Sequence, residues 1–88
     1  MSGERIDIGH GVTIEILKLN GVAAGLDYWH PCKDGQHASG FIPFAGRPSD
    51  MGYSWTVEQD DPITISPSLL CRACNHHGFI RAGRWVTA

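Results

Sequence analysis

Val12, Ile14 and Ile16 alternate with Thr13, Glu15 and Leu17. That period of two, rich in β-branched residues, predicts a strand over Val12–Leu19. Asn20-Gly21 follows between two apolar runs, which is where a two-residue hairpin turn belongs. Val22 to Trp29 is then the return strand, diluted by Ala23, Ala24 and Gly25. His30 to His37 reads as a compact polar loop and Phe41 to Phe44 as a short apolar strand, with Pro43 marking an edge or an exit. Ala45 to Gly52, holding Gly46, Pro48 and Gly52, predicts a loop and the most flexible segment. Tyr53 to Glu58 alternates again and carries Trp55; Asp60-Asp61-Pro62 turns the chain into Ile63-Thr64-Ile65. Ser66-Pro67-Ser68 has the form of a helix start, with Ser66 as cap and Pro67 in the first helical position. Cys71 to His77 is a second polar knot, and Phe79 to Val86 predicts a terminal hairpin turning at Gly83. No stretch sustains a helical period beyond two turns. The fold class expected is all-β, or β-rich with one short helix.

Length changes that picture in one respect. A chain of 88 residues is enough for one domain, expected over 1–88, but a core that small usually needs a staple. Three cysteines is an odd number for a disulfide framework, and with five histidines in the chain it favours metal ligation in a reducing compartment. Cys71 and Cys74 have the spacing of a knuckle whose tight turn points both thiolates at one ion, with His77 close behind. Cys32 and His37 offer the other half-site. Zinc takes four thiolate or imidazole ligands, commonly as two close pairs brought together by the fold. The metal candidates are therefore Cys32, His37, Cys71, Cys74 and His77, five groups for four places, with His30 and His76 as outsiders. A structural zinc holding a small sheet of hairpins is the expected design, and the spacing leaves the fourth ligand open.

Catalytic readings find less support at this level. The chain lacks an H-E-x-x-H pattern, and a mainly thiolate set with every position filled makes a poor Lewis acid. Glu58, Asp60 or Asp61 are the carboxylates that could act as base beside an open metal position. Pairing Cys74 with His76 or His77 as a nucleophile would use the atoms the metal needs. Ser66-Pro67-Ser68 has no G-x-S-x-G setting, which favours capping or a turn over nucleophilic chemistry. Trp29, Trp55, Trp85, Phe41, Phe44 and Phe79 are core in the first instance; Tyr53 and Trp55 are the aromatics best placed to meet a partner.

Net charge of −2 with only seven Lys and Arg disfavours a nucleic-acid partner. No apolar run is long enough to span a bilayer, and Met1 to Arg5 shows no secretory signal, so a cytoplasmic protein is expected.

Tyr53-Ser54-Trp55-Thr56, Pro62 to Leu69, and Cys74-x2-His77-Gly78-Phe79-Ile80-Arg81-x-Gly83-Arg84-Trp85 together resemble a family of short phage and prophage proteins of unknown function. The resemblance runs from about His30 to Val86. It implies a phage-associated origin, host cytoplasm as the setting, and a metal held by two Cys/His loops in which Cys32, Cys74 and His77 match best. Ile65 and the additional Cys71 depart from the family pattern. Together these readings favour a non-enzymatic, zinc-stabilised binding module engaging a host or phage protein. The alternative is a metal-dependent enzyme or nucleic-acid-processing accessory with an open zinc position.

Overall fold

The computed structural model describes residues 5–32, 37–50, 52–72 and 74–88, with the backbone alone for 37–39. Most strands appear where the alternation predicts them, but the one expected over Tyr53 to Glu58 runs from Thr56 to Asp60 and leaves Trp55 outside it. β1 (Ile6–Gly9), β2 (Val12–Leu19), β3 (Val22–Pro31) and β4 (His37–Pro43) form an antiparallel sheet in chain order. β5 (Thr56–Asp60) pairs with β6 (Ile63–Ser66), and β7 (Leu69–Cys71), β8 (His76–Arg81) and β9 (Arg84–Thr87) make a three-stranded meander. The fold is all-β, and no helix occurs among the described residues.

The hairpin turns follow the predicted chemistry. Asn20 and Gly21 both take positive φ (53° and 80°), the pair of left-handed residues that a type I′ turn needs. The β8–β9 turn uses Ala82 and Gly83 in the same way. A left-handed alanine costs about 1 kcal/mol, and two bonds to β6 hold this turn in place: the Ala82 N–H donates to Thr64 Oγ1 at 2.8 Å, and the Gly83 N–H to the Ile63 carbonyl at 2.8 Å.

Alternation decides what each strand buries. Val12 and Ile14 of β2, Leu26 and Tyr28 of β3, and Ile42 of β4 turn inward, where they meet Ile8, Phe44, Ile63, Ile65, Leu69, Ile80 and Trp85. The two smaller sheets pack together through β6 and β8, and the large sheet meets them where β1 lies against β9. Trp55 bridges the units, since its N–H donates to the Pro43 carbonyl and its carbonyl accepts from the Ala45 N–H, both at 2.9 Å.

Two expectations need correction. The first polar loop is shorter than predicted, because β3 runs on through His30 to Pro31 and β4 begins at His37. Ser66-Pro67-Ser68 starts no helix; Ser66 ends β6, Pro67 and Ser68 link it to β7, and Leu69, buried and paired with Gly78, demands extended backbone directly after them. The Ala45 to Gly52 loop is cross-braced. Asp50 accepts from the Gly46 and Gly52 N–H groups at 2.8 and 3.0 Å, and Arg47 Nη1 donates to the Ala23 carbonyl at 2.8 Å. Those two N–H bonds hold the Asp50 carboxyl below the usual aspartate range.

Candidate functional site

Two groups of reactive side chains lie on opposite faces of the β7–β8 hairpin. β7 and β8 pair through Leu69↔Gly78, Leu70↔His77 and Cys71↔His76. Successive residues of a strand point to opposite faces. Cys71 and His76 therefore share the inner face with buried Leu69, Gly78 and Ile80, while Leu70 and His77 share the outer one. Gly78 is required at the centre of the pairing, because a Cβ there would run into the Trp85 indole and the Val86 carbonyl.

The inner group is a cluster of His30, Cys32, Cys71 and Cys74, whose ligand atoms all lie within 4.8 Å of one another. Cys32 Sγ and Cys71 Sγ are 4.0 Å apart, and Cys74 Sγ is 3.5 Å from His30 Nε2. The knuckle that delivers Cys71 and Cys74 is closed by Asn75, which takes a φ of 60° and donates its N–H to the Cys71 carbonyl at 2.7 Å. His30 and Cys32 come from the end of β3, where the inward series Ala24, Leu26, Tyr28 continues to His30. His30 is only 1% exposed. This set can hold a metal ion through four protein groups.

Around it, aromatic rings form a stack. His76 lies 4.5 Å from His30 and 4.7 Å from Trp85 between ring centroids, and Tyr28 stacks on both His30 and Trp85 at 5.0 and 5.7 Å. Burial, and then the sulfurs of Cys71, Cys74 and Cys32, push the Tyr28 hydroxyl above the ordinary tyrosine range. His76 is shifted the other way, by burial first and then by His30 and His10, so it favours the neutral ring. A protonated Tyr28 hydroxyl and a neutral imidazole match their contact: Tyr28 Oη donates to His76 Nδ1 at 2.9 Å.

The outer group is smaller. Ser68, immediately before β7, places its Oγ 2.9 Å from His77 Nε2. In the tautomer with the proton on Nδ1, the serine hydroxyl donates to this nitrogen. The Phe79 ring flanks His77 at 6.3 Å between centroids, and Arg81 lies 4.2 Å above the Phe79 ring. Trp55 Nε1 donates to the Ser68 carbonyl at 3.3 Å and ties the link between β6 and β7 to the rest of the molecule. Among the described residues no carboxylate hydrogen-bonds to His77. Of the serines whose side chains are described (Ser49, Ser54, Ser66 and Ser68), Ser68 is the one that meets a histidine.

Of the five sequence candidates, Cys32, Cys71 and Cys74 converge. His77 stands apart from them on the opposite face, engaged with Ser68, and the His37 side chain lies outside the described residues. His30 takes the fourth place in the cluster. It was legible as the next inward residue after Leu26 and Tyr28, but reading His30 as the first residue of a loop stopped that series one step early. The Ser68–His77 pair carried no sequence signal beyond two ordinary residues nine positions apart. Glu58, Asp60 and Asp61, the carboxylates considered as a base, are all exposed on β5 or its turn. Asp60 bonds Arg47 at 3.4 Å.

Comparison with curated proteins and with solved structures gives no match. A family model does match, over residues 12–88, and its family is described as the serine protease of a bacterial ubiquitination-like system, BubE. This corrects two expectations drawn from the sequence. The non-enzymatic binding module gives way to a family named for catalysis, and the resemblance to phage proteins of unknown function gives way to a bacterial family with a stated activity. The match covers all three sheets apart from β1 and includes every residue of both side-chain groups, and by it the chain belongs to the BubE family of bacterial ubiquitination-like system serine proteases.

Proposed function

We propose that the chain is a serine hydrolase cutting peptide bonds, with Ser68 as nucleophile and His77 as general base. The observation that carries this is the 2.9 Å contact between Ser68 Oγ and His77 Nε2 in a family named for serine protease activity. A serine hydroxyl is a weak nucleophile unless a base stands ready to take its proton. Here His77 Nε2 accepts the Ser68 proton as Oγ attacks the substrate carbonyl. The resulting imidazolium returns that proton to the leaving amine, and the acyl group stays on Ser68 as an ester. Water, deprotonated by the same nitrogen, attacks the ester and frees Ser68. General-base assistance of this kind contributes about 10²–10⁴-fold. The family description makes a protein of a bacterial ubiquitination-like system the substrate class proposed for it.

The inner cluster supports a separate role, that of a structural zinc site. In a tetrahedral site, Zn–S bonds of about 2.3 Å set sulfurs ~3.8 Å apart, and a Zn–N bond near 2.0 Å sets sulfur and nitrogen ~3.6 Å apart. The distances of 4.0 Å between Cys32 and Cys71 and 3.5 Å between Cys74 and His30 fit that frame. Three thiolates and one imidazole fill all four positions, which leaves no place for a metal-bound water. In this reading the ion holds the knuckle between Cys71 and Cys74, and so holds β7 and β8 at the spacing that Ser68 and His77 need. The donor set fits a resident metal, and the protease chemistry belongs to the outer face.

Labelling with a fluorophosphonate, followed by peptide mapping, tests the nucleophile. The adduct is expected on Ser68, and both Ser68→Ala and His77→Ala are expected to abolish labelling while the fold melts normally. An adduct on another serine, or undiminished labelling of Ser68→Ala, would overturn the assignment.

A further inference from the structure

Against β7 lies a pocket of about 220 Å³ walled by Tyr28, Ile42, Trp55, Leu69 and Leu70, with Gly40 and two cluster residues, His30 and Cys71, completing it. We propose that it is a side-chain subsite, which takes one apolar residue of the peptide that acylates Ser68; the proposal rests on Ser68 being the nucleophile.

Position is the first argument. Leu69 and Leu70 directly follow Ser68, and the Trp55 indole bonds the Ser68 carbonyl. Ser68 directly precedes β7, and at about 3.3 Å per extended residue Leu70 lies within about 6.6 Å of it along the chain. An extended substrate has the same repeat, so the pocket meets a side chain within two residues of the bond being cut. Chemistry is the second argument. No Lys, Arg, Asp or Glu lines the pocket, and its polar groups have other work: Tyr28 Oη bonds His76 and Trp55 Nε1 bonds Ser68. A charged or hydrogen-bonding side chain would be desolvated there without return. Size is the third. The volume equals about seven waters at ~30 Å³ each and falls short of the roughly 300 Å³ at which small-molecule pockets begin. One large apolar side chain suits it.

Gly40 supplies the depth. On β4 it shares the inward face with buried Ile42, and it pairs with Tyr28. A Cβ at Gly40 would meet nothing within 4 Å, so its absence leaves open space and relieves no clash. Of the four cluster residues, His30 and Cys71 form part of the pocket wall, and Cys32 and Cys74 do not.

The test is a panel of acetylated tetrapeptide aminomethylcoumarin amides, with the two residues before the coumarin varied among Gly, Asp, Lys, Leu and Phe. Leu or Phe at one of those positions is expected to raise kcat/KM by about 10²-fold over Gly, following the tenfold-or-more discrimination per methylene of an apolar pocket. Gly40→Leu is expected to cut the ratio of Leu to Gly rates at least tenfold by filling the space. Leu70→Asp, at a half-exposed position that tolerates polarity, is expected to cut the same ratio and to raise the rate with Lys. Melting curves check that each variant folds. If fluorophosphonate labels Ser68 but the panel shows no apolar preference, or both variants leave the ratio unchanged, the subsite is wrong and the nucleophile stands. If Ser68 is not labelled, the nucleophile reading falls and the subsite falls with it.

Discussion

The two faces of the β7–β8 hairpin differ by a single residue step and do opposite work. Cys71 and His76 look inward, to a cluster of thiols and stacked rings; Leu70 and His77 look outward, where His77 meets a serine. Adjacent histidines with identical chemistry are thus separated by the pleat of the strand alone. Burial disfavours the charged form of His76, which meets the Tyr28 hydroxyl, whereas His77 is exposed and faces the Ser68 hydroxyl. Side-chain identity says little about role here; parity along the strand says most of it.

The largest way to break the inner face is to remove the metal proposed for it. Structural zinc contributes on the order of 10 kcal/mol or more to folding, which is comparable to the whole stability of an ordinary small domain. Cys71→Ser or chelation should therefore abolish the near-ultraviolet circular dichroism of the Trp and Tyr stack, and peptide hydrolysis with it. A fold that survives chelation intact would remove the staple from this account. Next in size is a direct contrast between neighbours. His77→Ala should lower kcat by roughly 10³-fold or more while metal content, measured by mass spectrometry, stays at one ion per chain. His30→Ala should do the reverse at the metal, releasing it first, with activity falling only as the fold loosens.

A smaller perturbation joins the two faces. Gly78→Ala pushes a methyl group against Trp85 and should destabilise the fold by about 1–3 kcal/mol, the usual range for overpacking. Urea unfolding would measure it, and a neutral result would mean that the Trp85 contact is slack. The smallest effect lies away from the hairpin, at Asp50. Its pKa is lower in the folded chain than in the unfolded one, so its contribution to stability is complete above the unfolded value and is lost as pH falls through the folded value. Protection of the Gly46 and Gly52 amides, relative to their intrinsic exchange rates, should fall in that acid window, and Asp50→Asn should remove this fall.

Much of the fold was legible because hairpins write themselves in alternation and turn residues. Val12 to Leu19, Asn20-Gly21 and the turn at Gly83 needed no tertiary information. The site was legible only in part. Cys71-x2-Cys74 is a local signature, and Cys32 is a cysteine with little else to do, so three of the four clustered groups could be found in advance. His30 needed the strand to be extended through an apparent loop. Ser68 and His77 could not be found that way, since their contact depends on the register of β7 against β8. β7 is only three residues long, and Ser-Pro-Ser before it imitates a helix cap.

The span between Ser68 and His77 has a consequence for how such an enzyme could arise. Both proposed catalytic groups, together with Cys71 and Cys74, fall within ten consecutive residues, and Trp55, His30 and Cys32 serve that segment from outside. Many hydrolases gather nucleophile and base from distant parts of the chain, so their active sites cannot be moved without moving the fold. Here the proposed pair is a contiguous cassette. It could be lengthened, swapped between relatives or grafted onto another meander that offers a thiolate and an imidazole at the right depth.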